Sequence, residues 1–438
     1  MPFSYIFASV LTLIASTVYS IGLLLSVSSV WDNCFSIAFC LIALAAFIKI
    51  VRTMIDEPEN SVDFVKSISF VLLMTAAIHI GILIGFALMD APDARLWAFD
   101  SYNLHIPSAV NIANALAGDE PIRLLRNSSD RIYATQIFVG AFFYIFGINP
   151  IASGLALLIA KLATVSMTGL LGRQLFNKKS AVIAAAAYSL LPTIVFYTTT
   201  YYKEAFIHLF VVSLLYVQIR IFRMGANPKR IALVCVLLLL IANERFYLFP
   251  LFLLSTAWAV FAGRAYSRSK FIVFGSIAAA GLAVFFIHFS DSIDFSNIFA
   301  EIARFKSEYN SYPDVDRKWN FKLMYPLGVL KLFLSPYFHP RKFDLFSNFS
   351  LLLIWGSFFS QILLLCGAYE IIRTVWQQRL EFLQTKGFLF LPFLGFMAVF
   401  GYVAPFAGRL RDAFVPLFAI YFAVLLLRSL QRRPGVKA

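Results

Sequence analysis

The chain has 438 residues, of which 60% are hydrophobic, 17% aromatic and only 14% charged. A soluble domain is nearer half apolar and a quarter charged, so this composition excludes a water-soluble enzyme built round one core, and it excludes disorder. Lys and Arg number 37 against 23 Asp and Glu, a net charge of +14; with no basic stripe interleaved with polar aromatics, this reads as basic residues kept in cytoplasmic loops and not as a nucleic-acid surface.

At roughly 20 residues per spanning helix, the chain has room for about a dozen spans. Apolar runs of spanning length lie at 4–28, 32–51, 67–88, 150–171, 180–200, 204–222, 270–289, 348–370, 387–404 and 412–430. The first of them lacks a charged n-region and a cleavage site, and reads as a first span rather than a removed signal peptide. The run 230–263 is interrupted by Ala242-Asn243-Glu244-Arg245, which predicts two short helices and a turn. Runs 133–147 and 325–338, the latter with Pro326 and Pro336, are short and read as re-entrant or interfacial. The expected fold is all-α and polytopic, with residues 1–438 forming a single transmembrane domain. Cys34, Cys40, Cys235 and Cys366 lie singly in apolar runs and read as small membrane-embedded residues, not as disulfides or zinc ligands.

Charge sets the expected orientation. Loops 172–179, 220–230, 264–270 and 373–386 and the tail after Arg428 are rich in Lys and Arg, which places them and both termini in the cytoplasm. The scheme closes if 133–147 does not fully cross. Segments 89–132 and 290–347 then lie outside, long enough to build a site above the membrane.

Four features carry candidate chemistry. The first is Trp97-Ala98-Phe99-Asp100-Ser101-Tyr102-Asn103-Leu104-His105-Ile106-Pro107, which opens the first outer loop. The stretch after it, Ser108 to Leu116, has the spacing of a short amphipathic helix that stops at Gly118. An acid fixed at a membrane boundary serves as a general base on a hydroxyl or as a ligand of a divalent cation. Asp100 has this place, with His105 close enough to share the site; the plainer alternative is a helix cap or a solvated acid. The second is Tyr201-Tyr202-Lys203-Glu204, between two apolar runs. Ionisable residues at membrane depth are functional candidates, against the alternative of an interfacial pair beneath a Tyr belt. The third is Asn243-Glu244-Arg245, which lines a cavity or makes a hairpin with an internal ion pair. The fourth is Arg409-Leu410-Arg411-Asp412: two outer arginines run against the charge rule and suit a phosphate, or pair with an outer acid or with lipid headgroups. Most other charges cluster at helix ends. His79 and Lys161 are exceptions, and each reads as packing or snorkelling rather than ion-carrying. The chain contains no Gly-rich phosphate loop, no HExxH and no GxSxG, which argues against an ATP-driven pump or a zinc protease.

Asp100-Ser101 followed by His105-Ile106-Pro107 resembles the D-S-x-x-Y-H-x-P signature of bacterial membrane glycosyltransferases of the GT-C fold, the relatives of lipid A aminoarabinose transferase and protein O-mannosyltransferase. Leu104 stands where that family has Tyr, and two spans precede the Asp loop where the family has one. Gly172-Arg173-Gln174-Leu175-Phe176 resembles a turn of the family. Leu191-Pro192 with Tyr201-Tyr202-Lys203-Glu204 resembles its later acidic stretch, and Arg409 with Arg411 its late arginines. The resemblance implies a GT-C-like bundle that moves a sugar from a polyprenyl-phosphate carrier to a lipid or polysaccharide acceptor, with inversion, on the outer side of a bacterial inner membrane. It implies Asp100 as base or metal ligand, Glu204 as a second carboxylate and His105 as a site-shaping partner. It also implies Lys203, Arg409 and Arg411 on phosphate, with Tyr102 at the binding site. A divalent cation, Mg or Mn, would rest on Asp100 and Glu204. A repeat-unit polymerase or ligase uses similar parts and is the alternative; a transporter or flippase fits less well, because the helix interiors are nearly free of charge.

Overall fold

The computed structural model describes residues 10, 14, 29–88, 106–118, 132–199, 201, 203–262, 349–403 and 412–431. Among the described residues every regular element is a helix. In chain order they are α1 (Ser29–Asp56), α2 (Phe64–Leu88), α3 (Ile106–Ala117), α4 (Ala134–Phe146), α5 (Pro150–Leu175) and α6 (Lys178–Leu190). There follow α7 (Pro192–Thr199), α8 (Glu204–Met224), α9 (Pro228–Glu244), α10 (Phe249–Ala262), α11 (Phe349–Val403) and α12 (Val415–Gln431).

Local chemistry sets these boundaries. Asn149 and Asn227 each precede a proline at the first helical position, and their side chains accept from Ala152 N at 2.9 Å and Arg230 N at 2.8 Å. This Asn-Pro pairing meets an unsatisfied donor and presets the first φ. Asn177 caps α6 the same way through Ser180 N at 2.8 Å. Pro192 has no N–H to give, so the apolar run 180–200 breaks there into α6 and α7, bent by 59°. Gly118 ends α3 with φ of 83°, as its place after the amphipathic stretch predicts. The expected break in 230–263 is the end of α9 at Glu244, followed by a 3-10 turn over Phe246–Leu248. Arg379, with φ of 45°, divides α11 into two helical parts.

Five helices among the described residues are long and apolar enough to cross a membrane: Phe64–Ile84, Ile151–Leu175, Glu204–Met224, Phe358–Arg379 and Asp412–Gln431; the bent pair α6–α7 makes a sixth if it is one span. The chain is a helical integral membrane protein. Large apolar side chains such as Leu73, Ile145 and Trp376 stay exposed, as lipid-facing surfaces require. Helix α4 has 13 residues, which at 1.5 Å each is about 20 Å and falls short of a hydrocarbon layer of about 30 Å. The run 133–147 therefore does not cross by itself. The runs at 4–28, 270–289 and 325–338, and the outer segment 290–347, lie outside the described residues, apart from Val10 and Ile14.

The chain divides into two compact units. In the first, α6 is the central helix: every residue from Lys179 to Leu190 is buried. Its alanine run allows neighbours to approach closely, and Gly172 of α5 lies so near that a Cβ there would meet Ala181 Cα at 3.1 Å. One end of this unit holds the basic α5–α6 turn. Lys178 N donates to Glu59 at 3.0 Å, Lys178 Nζ to the Val62 carbonyl at 3.3 Å, and Lys179 Nζ to the Ile55 carbonyl at 3.4 Å. Arg173 covers the Phe64 ring at 5.1 Å, and Phe176 meets Tyr421 of α12 edge to face at 5.3 Å. The loop 57–63 and the α5–α6 turn thus share one level.

In the second unit a buried polar knot joins α8, α10 and α11. Gln218 donates to Thr256 Oγ1 at 2.8 Å, and Ser255 donates to the Phe388 carbonyl at 2.6 Å, with Gln218 Oε1 at 3.1 Å. Phe222 lies against Phe388 with ring centres 5.5 Å apart. These contacts satisfy polar groups that lipid would leave bare.

Candidate functional site

Asp100, Tyr102, His105, Arg409 and Arg411 lie outside the described residues. Lys203 and Glu204 lie inside them, in the turn between α7 and α8. At this turn Tyr201 adopts φ of 56°, a left-handed conformation that a bulky side chain rarely takes. Its side chain is fully buried. Strain of this kind persists only where surrounding packing over-determines it, and it concentrates at functional sites.

Glu204 is the first residue of α8 and is 1% exposed. The unsatisfied N–H groups of a helix start favour an anion at this position. One turn further along the same face stands His208, also fully buried. Its Nδ1 lies 2.8 Å from the hydroxyl of Tyr188 on α6, and the two rings meet edge to face at 5.8 Å. A carboxylate, an imidazole and a phenol thus follow one another from the turn into the bundle.

The second side of the site comes from α4. The Lys203 ammonium stands 4.4 Å from the centre of the Tyr133 ring. Tyr133 immediately precedes α4, and its N–H donates to Gln136 Oε1 at 3.0 Å. Three residues into α8, Phe206 packs edge-on against Phe138 with centroids 5.2 Å apart. The starts of α4 and α8 therefore lie together. Helix α4 also carries α3: a Cβ at Gly140 would meet the Ala109 carbonyl oxygen and Ile112 Cγ2, each at 2.8 Å. Helix α3 begins at Ile106, directly after His105. The structure thus brings the helix that follows the Asp100–Pro107 motif, the short helix α4 and the Lys203–Glu204 turn into one cluster.

The arrangement has a defined chemical capacity. A buried carboxylate one turn from a hydrogen-bonded imidazole can take up a proton and share it inward. A lysine ammonium held over an aromatic face keeps its charge and its N–H donors for a phosphate. For a divalent cation the described residues offer less. Glu204 lies among them, but no group of three or more His, Cys, Asp or Glu among the described residues comes together to hold a metal, so no step is assigned to one.

Sequence reasoning singled out the stretch from Tyr201 to Glu204 but missed Tyr133, Tyr188 and His208 as partners. The spacing of Glu204 and His208, four residues apart on one apolar helix, is a usable signal. Tyr133 and Tyr188 are brought in by tertiary packing alone. At the other break, Glu244 and Arg245 are buried, and the Arg245 guanidinium donates to the Tyr247 hydroxyl at 3.0 Å. Among the described residues Cys235 and Cys366 are free thiols. No family model, no curated protein and no solved structure matches the chain.

Proposed function

We propose that this protein is a membrane glycosyltransferase of the GT-C kind, with about a dozen spans and both termini in the cytoplasm of a bacterial cell. It transfers a sugar from a polyprenyl-phosphate carrier to a lipid or glycan acceptor on the outer face of the inner membrane. The observation that carries this reading is the buried Glu204 beside Lys203, in one cluster with the helix that follows Asp100. In this reading Asp100 is the base toward the acceptor hydroxyl, and Glu204 is the second carboxylate. Lys203, Arg409 and Arg411 receive the phosphate of the leaving carrier, and His105 and Tyr102 shape the acceptor side.

The physical demand of such a transfer supports the assignment. A lipid phosphate, a sugar and a hydroxyl must be held together at the membrane boundary. Position and charge then supply most of the rate, through orientation and through cations that meet negative charge as it develops on the leaving phosphate. The basic α5–α6 turn at the start of α6 supports the orientation, because the Lys203–Glu204 turn follows the other end of the α6–α7 pair.

The test is mass spectrometry of lipid-linked sugars and surface glycans from wild-type, deletion, Asp100→Asn and Glu204→Gln strains. The expected result is a glycan lacking one sugar, with its polyprenyl-phosphate donor accumulating in the deletion strain and in both variants. Single repeat units without long chains would replace this reading with a polymerase. Unchanged glycans in the deletion strain would remove both.

A further inference from the structure

The middle of the first unit holds two basic side chains that the site above does not use. Lys161 lies near the centre of the span Ile151–Leu175 and is 0% exposed. Of the two alternatives left by the sequence it is packed rather than snorkelling, and among the described residues its Nζ has no hydrogen-bond partner. His79, on α2, is equally buried, and its Nε2 lies 2.9 Å from the Gly154 carbonyl. Its Nδ1 has no partner. His79 meets α5 at Gly154, which lies two turns before Lys161 on the same face of that helix.

Among the described residues, helices α2 and α5 pack chiefly against α4, α6, α7 and α12, and none of these six helices contains Asp or Glu. The neighbouring hydroxyls are already engaged: Thr75 donates to the Val71 carbonyl at 2.7 Å and Thr164 to the Ala160 carbonyl at 2.8 Å. A buried ammonium ordinarily has a counter-charge and acceptors for its three donors. Here the packed helices provide neither.

We propose that Lys161 and His79 form a binding site for a small monovalent anion of halide size inside the helix bundle. The anion accepts from the Lys161 ammonium and from Nδ1–H of the His79 ring, while Nε2–H donates to the Gly154 carbonyl. It supplies the negative charge that the six helices lack, and so ties α2 to α5 at mid-depth. This inference is independent of the glycosyltransferase reading.

The experiment uses the full-length protein in detergent at fixed ionic strength, with gluconate replaced stepwise by chloride or bromide. A ligand that binds only the folded state raises Tm in a saturable way. The expected result is a rise of a few degrees that saturates. It should vanish in Lys161→Met, shrink in His79→Gln, and be matched by an anomalous bromide peak between the two side chains in crystals. An unchanged Tm in halide would overturn the proposal. So would a halide effect that survives in His79→Gln and Lys161→Met, which would mark an adventitious ion only. The comparison of halide with gluconate in the wild-type protein stands even if Lys161→Met fails to fold.

Discussion

The ammonium of Lys203 rests 4.4 Å above the Tyr133 ring, and this contact ties the start of α4 to the start of α8 at the cluster that contains Glu204. A cation over an aromatic face is worth about 1 kcal/mol, and more when water is excluded. In a double-mutant cycle, Tyr133→Leu and Lys203→Met should therefore show a coupling of about 1 kcal/mol. Thermal or denaturant unfolding in detergent measures it. A coupling near zero would mean that the two side chains are neighbours without being partners.

Gly140 and Gly154 offer a contrast in what a methyl group meets. At Gly140 the added Cβ would lie 2.8 Å from the Ala109 carbonyl oxygen, a backbone atom that can move only with α3. At Gly154 the obstacle is the end of the Leu83 side chain, which can change rotamer. Gly140→Ala should cost roughly 1–3 kcal/mol as overpacking, and Gly154→Ala less. Gly140→Ala should also loosen α3, read as faster proteolysis between residues 118 and 132. Equal effects for the two variants would show that α3 is not held by the notch.

Much of the fold was legible in the sequence because lipid imposes simple rules. Apolar runs match the five spans among the described residues, and Ala242-Asn243-Glu244-Arg245 gave the break in 230–263; the run 180–200 reads as one span by hydropathy, and Pro192 divides it. The basic residues of 172–179 gave one end of the first unit. The cluster around Glu204 was only half legible. Its acid and lysine stand out because charge is scarce in apolar sequence, but Tyr133 and Tyr188 are ordinary aromatics in a chain rich in them. For Lys161 the sequence leaves packing and snorkelling open, because it gives depth but not the face on which the side chain lies; the side chain is packed inside.

Tyr201 permits a separation of backbone from side-chain effects. Both Tyr201→Ala and Tyr201→Gly remove the buried ring, so their packing losses are similar. They differ in the backbone, because φ of 56° strains alanine and not glycine. Tyr201→Gly should therefore be the more stable of the two by about 1 kcal/mol, the reverse of their order in a helix interior. If alanine were the more stable, the left-handed turn before Lys203 would not survive loss of the ring.

Glu370 shows how the far end of the same unit is fastened. Its side chain is completely buried, one oxygen takes a charged hydrogen bond from Arg428 of α12, and the other lies 3.6 Å from Arg373. Glu370 is out of water while the Arg428 side chain keeps 38% of its surface exposed, so removing the arginine leaves the buried carboxylate without its nearest partner. Arg428→Met should destabilise by roughly 1–3 kcal/mol, below the cost of breaking a fully buried pair. Arg373 should soften this, because it still approaches the second oxygen. Replacing both partners, as in Glu370→Leu with Arg428→Met, should restore most of the loss, since the desolvated carboxylate is then gone. The measurement is unfolding in detergent for the two single variants and the double. Additive losses would show that Glu370 and Arg428 act separately, and that α11 and α12 are held instead by the close approach of Gly367 to the Phe418 backbone, where a Cβ would meet the carbonyl oxygen at 2.7 Å.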